Sequence, residues 1–404
     1  MTLKQNEGNV EVIANLNKGT NQVGVRNYNE RLILQLIRKN KALTKAEATR
    51  ATGLSPNAIS VIFRSLEDEN FLLRGDPLRG RIGQPSVPMH LNPKAAFYLG
   101  LKIGRKSLDL ILMDFVGNII GQKKQNYAFP LPESCVQFVN EKIPLIIEET
   151  GVSYDKISGL GIAIPYELWN WTEKIGAPAD AMASWEGFDL ESSIVNPGNW
   201  PVFIENDGTA ACAAELMFGV NQLQQDFIYF YVGTMIGGGI VLNGSVFIGP
   251  SGNAGGLGPM PIPSEQKKAS TLVDHASIFV LENMIKDSGE SPQTLYEAGD
   301  AWVKYTAIVD QWVCSTAKGL AHAVIASLSV IDFKNVVIDG SFPEHIREKI
   351  VLELSVAIDK HDLQGIKKPD INPGGLGYIA RAIGAASLPL SQQYAINQNT
   401  LFRS

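Results

Sequence analysis

The stretch from Ser55 to Leu66 sets polar side chains against an apolar stripe. Ile59, Ile62, Phe63 and Leu66 recur at helical spacing and should pack inward, which turns Asn57, Ser60, Val61 and Arg64 outward. Those residue types can read DNA: Asn bonds adenine through both halves of its amide, Ser pairs with several base edges, and Arg one turn further along takes guanine or phosphate. Ser55 ahead of Pro56 reads as an N-cap followed by proline at the first helical position, where a missing N–H costs nothing. Arg79-Gly80-Arg81 falls in a turn-rich run, RGDPLRGRIGQPSVPMHL, between short β-prone segments. A slim loop with two guanidiniums can enter an A·T-rich minor groove or touch phosphate alone. Two glycine turns form another group: Gly104-Arg105-Lys106-Ser107, just after Lys102, and Gly233-Thr234-Met235-Ile236-Gly237-Gly238-Gly239. Such turns facing a cleft can offer backbone N–H groups to phosphate oxygens, although any hairpin also needs glycine. Cys135, Cys212 and Cys314 have neither metal-ligand spacing nor an even count for a disulfide framework, so no metal is expected of them.

The elements that must position these residues can be read next. Val25 to Asn40 places Tyr28, Leu32, Ile33 and Leu36 on one stripe of a first helix. Thr44 with Glu47 three residues on is a capping box that opens a second, short helix, and Gly53 suits a left-handed residue at its end. Helix, glycine turn, helix is the helix-turn-helix signature, and the turn-rich run after Leu73 has the composition of a wing. The alternative is a three-helix protein-binding module with an ordinary solvated face. His90, among apolar residues at the exit strand, reads as a packing residue. Net charge is −6 overall, yet residues 25 to 91 hold eleven Lys or Arg against six Asp or Glu, so a basic head sits on an acidic body. The polar first residues read as a flexible arm. The longest apolar run, Phe227 to Leu242, is broken by four glycines and reads as two buried strands rather than a membrane span, which favours a cytoplasmic protein.

From Lys94 the pattern becomes strand, glycine turn, strand. Phe97 to Ile103 and Leu108 to Asp114 flank the first turn, and Gly117-Asn118 leads into a third strand. A helix (Ser134 to Glu149), a buried strand (Ile157 to Ala163), a strand ending at Glu205-Asn206-Asp207 and an alanine-rich helix (Gly208 to Phe218) follow. FIYFYVGTMIGGGIVLNGSVFIG, residues 227 to 249, then repeats the first meander. The repetition implies an internally duplicated, two-lobed α/β body with a cleft between the lobes.

Five segments carry a resemblance: GTNQVGVRNYNERLILQLIRKN before the helix-turn-helix, Gly83-Gln84-Pro85 in the wing, IENDGTAACAAE around Asp207, VGTMIGGGIVLNGSVFIGPSGNAGGLGPMPI, and GYIARAIGAASLPL. Together the chain resembles the ROK family of bacterial sugar kinases and repressors of the xylose and N-acetylglucosamine regulator type, from Gly19 to its end. The resemblance implies an α/β protein with an N-terminal winged helix-turn-helix plus a two-lobed actin-like ATPase (sugar kinase-like) domain, acting as a homodimer or a dimer of dimers on a double-stranded DNA operator. Residues 1–18 become the arm, 19–93 the DNA-binding domain and 94–404 the effector and oligomerisation domain.

Departures from the kinase pattern bear on chemistry. Where kinases of the family carry D-x-G-G-T for phosphate and its metal, this chain has Lys102-Ile103-Gly104-Arg105-Lys106, so a nucleotide would lose an acid and meet a base. The phosphate loops, with Lys102, Gly104, Gly233, Thr234 and Gly237, are expected to be degenerate, leaving no catalytic residue and no cofactor. Asp207 matches the family's catalytic base and Asn206 a sugar contact; kept alone, they can hydrogen-bond a polyol without reacting. The family's G-E-I-G-H segment and zinc-binding cysteines are replaced by Gly255-Gly256-Leu257-Gly258-Pro259 and a loop without cysteine, which excludes that zinc site, and a third acid is replaced by Val273. Trp185, with Phe188, could stack on a sugar or belong to the core; Trp169 and Trp171 share that ambiguity, and Tyr166-Glu167 could rebuild a polar lining. Asn253 lies in the loop expected to close over the site. With no arginine cluster evident in these segments, the expected effector is a neutral sugar or polyol. Three readings follow: a repressor with a sugar-sensing body, an active kinase that also binds DNA, and a repressor whose body is a ligand-free scaffold.

Overall fold

Capping chemistry fixes the head. The computed structural model describes residues 22–77, 86–170, 172–221, 226–263, 269–296 and 301–396. Helices α1 (Gln22–Asn40), α2 (Lys45–Thr52) and α3 (Pro56–Asp68) form it. The Thr44 hydroxyl accepts from the Glu47 N–H at 3.3 Å while the Glu47 carboxylate accepts from the Thr44 N–H at 2.9 Å, so two orphan donors are satisfied reciprocally. Gly53 ends α2 at φ +70°, and the Ser55 hydroxyl caps α3 by accepting from the Ala58 N–H at 3.2 Å. Of the expected α1 stripe, Ile33 is buried and Leu36 packs against the core, whereas Tyr28 and Leu32 are only half-buried and Leu34 and Ile37 complete the buried face. The reason is tertiary: α1 touches both α3 and the last helix of the chain, so burial wraps around it. Strands β1 (Leu72–Arg74) and β2 (Met89–Leu91) pair antiparallel, and Leu43 bridges to Met89. Met89 and Leu91 point inward, so the period of two turns His90 out, where its ring meets the Lys41 carbonyl at 3.1 Å; the packing role expected of it is wrong. Arg79, Arg81 and Gly83-Gln84-Pro85 lie outside the described residues.

The body runs β3 (Phe97–Ile103), β4 (Ser107–Asp114), β5 (Ile119–Asn126), α4 (Pro132–Thr150), β6 (Ile157–Ile164), short helices α5 (Thr172–Ile175), α6 (Ala179–Ala183) and α7 (Leu190–Ser193), β7 (Val202–Asn206) and α8 (Asp207–Phe218). The second half runs β8 (Phe227–Val232), β9 (Ile236–Leu242), β10 (Ser245–Phe247), a small ribbon of β11 (Pro261–Ile262) and β12 (Ser270–Thr271), α9 (Val273–Ala276), α10 (Ile278–Asp287), α11 (Thr306–Val330), β13 (Asn335–Gly340), α12 (Glu344–Ile358), β14 (Asp370–Pro373) and α13 (Ala380–Tyr394). One five-stranded sheet has the order β5-β4-β3-β6-β7 and the other β10-β9-β8-β13-β14. Each is an antiparallel meander extended by two parallel strands, so the duplication read from the glycine turns holds at the level of topology. The apolar run broken by glycines is the β8–β9 hairpin. Helix α11 lies in a stretch, Ala301–Val330, apolar and long enough to cross a membrane by length and composition, but more than half of its most apolar window is buried, with Trp312 and Leu320 in the second-lobe core.

Helix α13 follows the second lobe in the chain yet packs on the first sheet and on α8. At its far end Tyr394 closes an aromatic trio with Phe71 of the head and Phe115 of the body, ring centroids 5.1 to 5.4 Å apart. The Arg38 guanidinium from α1 sits 5.1 Å from the Phe115 ring and 5.3 Å from the Phe218 ring, and burial pushes it down to about 10. One core cluster therefore runs unbroken from Ile33 and Phe63 in the head to Phe115 and Leu390 in the body. Phe115→Ala should remove about 3–5 kcal/mol of stability, read as a lowered denaturant midpoint; an unchanged midpoint would show that head and body are not welded through this ring.

Candidate functional site

Two surfaces bring together the residues singled out above. On α3, Asn57, Val61 and Arg64 are exposed and Ser60 half-buried, while Ile59, Ile62, Phe63 and Leu66 are buried beneath them. Ser55 spends its hydroxyl on the cap. The outward face carries one amide, one hydroxyl, one guanidinium and an apolar Val61, a set able to meet base edges, phosphate and a thymine methyl. Arg74, at the base of the wing, is held by Glu67 in an exposed ion pair.

The second surface is a cleft of about 450 Å³ between the lobes. Its position follows from the topology: β7 ends at Asn206, α8 starts at Asp207, and the β8–β9 turn and the glycine loop after β10 meet them from the other side. The Asn206 side-chain oxygen accepts from the Gly208 N–H at 2.9 Å and the Thr209 N–H at 3.2 Å, capping α8 and leaving its amide N–H groups for a ligand. Asp207, Asn253, Tyr166, Thr234 and Gly237 all line the cleft, with Glu167 and Asn170 near Tyr166; Gly256, Pro259 and Val273, the positions where the family pattern is broken, line it too. Lys174 of the first lobe is paired with Asp274 of the second, a clasp between the two.

Several expected site residues lie elsewhere. Trp185 is buried in the first-lobe core, its indole N–H donating to the Pro130 carbonyl at 3.0 Å and its ring edge-on to Phe188, so it is a packing residue and not a sugar platform. Trp169 packs against the same core, and Trp171 lies outside the described residues. Gly233 does not line the cleft; its carbonyl accepts from the Ile278 N–H at 2.9 Å. Gly104 is taken up in the β3–β4 hairpin, its N–H donating to the Ser107 carbonyl. Lys102 does not face the cleft either. It is buried, its ammonium donating to Asp109 at 2.8 Å and to Ser107 at 2.6 Å. Burial, then the neighbouring Arg381, push Lys102 down to about 8 against the pull of Asp109.

The cations that do line the cleft are Arg105 and Arg381, which corrects the expectation that no arginines gather there. Arg381, at the start of α13, donates to Asp207 at 3.0 Å and to the Ser341 hydroxyl at 3.3 Å, and lies 4.8 Å from the Tyr231 ring centroid. Burial opposes its charge, but Tyr231 and Asp207 outweigh burial and raise its pKa. Asp207, the residue matching the kinase base, is thus half of an ion pair. Among the described residues no three His, Cys, Asp or Glu side chains cluster to hold a metal.

A DNA-reading head joined through one core to a two-lobed α/β body with a polar cleft is the build of a ligand-responsive transcription regulator. The chain belongs to the ROK family: the ROK family model matches residues 98–392, and a winged helix-turn-helix DNA-binding model matches residues 26–72. The xylose repressor of Bacillus subtilis is 29% identical over 249 residues, 62% of this chain and 64% of that protein. A solved ROK family transcriptional regulator described as a homologue of the E. coli MLC protein covers 94% of this chain and 98% of its own at a TM-score of 0.64 and 18% identity. A ROK family glucokinase from Streptomyces griseus, solved with glucose and AMPPNP, covers 72% of this chain and 99% of its own at a TM-score of 0.56 and 19% identity. The fold is therefore the winged helix-turn-helix on the sugar-kinase-like body.

The buried pair of Lys102 with Asp109 can be tested as an energetic unit. Lys102→Met leaves Asp109 buried and uncompensated and should cost about 3–5 kcal/mol, whereas Lys102→Met with Asp109→Leu should recover most of that loss. Denaturant unfolding of the two variants decides it; equal losses would show that the pair is not an independent unit.

Proposed function

We propose that this chain is a sugar-responsive transcriptional repressor, built from a reader at 19–93 and a body at 94–404 that binds its effector in the interlobe cleft without phosphorylating it. The observation that carries the binding half is the Asp207–Arg381 pair. The carboxylate that matches the kinase base has one oxygen tied to the Arg381 guanidinium at 3.0 Å, so it is placed to bind a sugar hydroxyl as part of an ion pair. A nucleotide's metal finds no acid at Lys102, which is turned away into its pair with Asp109.

Binding, as distinct from turnover, keeps its donors and acceptors. The free Asp207 oxygen, the Asn206 amide and Asn253 suit adjacent hydroxyls of a sugar or polyol. The similarity to the xylose repressor of Bacillus subtilis supports a carbohydrate as the effector. The reader acts in the cytosol on a palindromic operator as a homodimer or dimer of dimers, with half-sites about one DNA turn, ~34 Å, or a multiple apart.

Asn57→Ala and Ser60→Ala should relax sequence preference at individual base pairs by about 1–3 kcal/mol, while Arg79→Ala and Arg81→Ala should weaken binding more uniformly and flatten its salt dependence. Footprinting of the four variants on the selected operator checks this, and footprints insensitive to all four would remove α3 and the wing from the interface. In a coupled phosphotransfer assay over hexoses, amino sugars and polyols with magnesium and ATP, no turnover is expected. Turnover that vanishes in Asp207→Asn would show that the ion pair opens to free a working base.

A further inference from the structure

Arg105 is the charged group in the cleft that the reading above leaves unexplained. It is buried, and among the described residues its one hydrogen bond is to the Leu168 carbonyl at 3.4 Å, a long contact to a neutral acceptor. A guanidinium has five N–H donors in a planar fork, one of which is taken by Leu168, and Arg105 lines the cleft. Burial pushes it down to about 10, which leaves it fully charged near neutral pH. Among the described residues the carboxylate whose charge bears on it is Asp207, and Asp207 is already claimed by Arg381.

The charges at this depth do not cancel. Lys102 is matched by Asp109 and Arg381 by Asp207, which leaves Arg105 over. Glu167 lines the same cleft but is partly exposed, is engaged by the Asn170 amide, and does not figure among the charges acting on Arg105. A buried cation without its counter-charge is costly, by several kcal/mol in general, and the arrangement is stable in function when a ligand supplies the missing anion. The fork geometry of Arg matches a carboxylate or a phosphate with two parallel hydrogen bonds, and a hydroxyl cannot use it in that way.

Resting on the sensor reading above, we propose that the effector is a polyol carrying one anionic group, a carboxylate or a phosphate, seated on Arg105 and the adjoining face of Arg381, with its hydroxyls on Asn206, Asp207 and Asn253. This replaces the neutral effector expected from the sequence. The anion completes the charge balance of the cleft floor and is held in a low-dielectric setting, where a charge-assisted hydrogen bond counts for more than in water.

Calorimetric titration of the full-length protein tests it with matched sets: xylose, glucose and mannitol as neutral probes, gluconate and glucuronate as carboxylates, glucose 6-phosphate and mannitol 1-phosphate as phosphates. At least one anionic probe should bind tenfold or more tightly than its neutral counterpart, and the set in which it falls names the source of the charge. Arg105→Gln should lose that preference by tenfold or more while any weak neutral binding stays, and Arg105→Lys, which keeps charge without the fork, should recover part of it. If Arg105→Gln does not fold, the ratio within each matched set of the unmodified protein decides alone. If every neutral probe that binds does so as tightly as its charged counterparts, the anionic effector is overturned and the sensor stands. No binding from any set overturns both.

Discussion

The structure depends on how closely the backbone of α13 is allowed to approach its neighbours. A Cβ on Gly100 would stand 2.5 Å from the Ala382 carbonyl oxygen, one on Gly161 1.8 Å from the Ala385 oxygen, and one on Gly384 2.1 Å from the Ala210 oxygen. Glycine at these three positions lets α13 lie backbone to backbone against β3, β6 and α8, closer than any side chain permits. Packing of that density has no slack, so the helix holds a fixed place on the first lobe. At its start the fixed helix aims Arg381 into the cleft; at its end it presents Tyr394 to Phe71 and Phe115, while Arg31 of α1 donates to the Ala395 carbonyl just beyond it.

One rigid element therefore contributes both to the floor of the cleft and to the seat of the DNA-reading head. That shared membership is a physical basis for communication, but a ligand shifts operator binding only by its unequal affinity for two arrangements of the molecule. A tenfold shift requires about 1.4 kcal/mol of such inequality, which one charge-assisted hydrogen bond gained on closure supplies. The clasp between Lys174 and Asp274 spans the lobes on an exposed path and adds little by itself, because partly exposed pairs are weakened by solvent.

Local chemistry was legible in the sequence and distant chemistry was not. The Thr44 and Ser55 caps, the Gly53 terminus, the inward face of α3 and both glycine meanders rest on interactions within a few residues, and each is present where the pattern put it. The charge pairs of the cleft join Asp207 to a residue 174 positions away, a distance over which spacing carries no signal. Arg381 lies inside GYIARAIGAASLPL and Arg105 inside the broken phosphate motif, and nothing local in either segment marks a guanidinium that will be buried. Trp185 failed for the converse reason: an indole ring suits a sugar face and a core equally, and the hydrogen bond to Pro130 that decides between them joins segments 55 residues apart.

Duplication makes the two lobes alike down to an exchange of helices: α8 follows the first half yet packs on β8 and β9 of the second sheet, and α13 follows the second half yet packs on the first. Helix α13 also carries the seat of the head, so the head, α13 and the first sheet form one packed body. The second lobe is joined to that body at the Gly374-Gly375 segment and at Gly377, whose φ of +64° and N–H bonds to the Asp339 carboxylate fix the chain just before α13 begins. Closing the cleft on a ligand then changes the distance from the head to the second lobe while the head keeps its place on the first. In the proposed dimer, two heads on one operator feel that motion if the copies meet through their second lobes and are blind to it if they meet through their first. For the dimer proposed above, the direction in which a ligand acts on DNA binding is thus set less by the cleft than by which lobe carries the contact between copies.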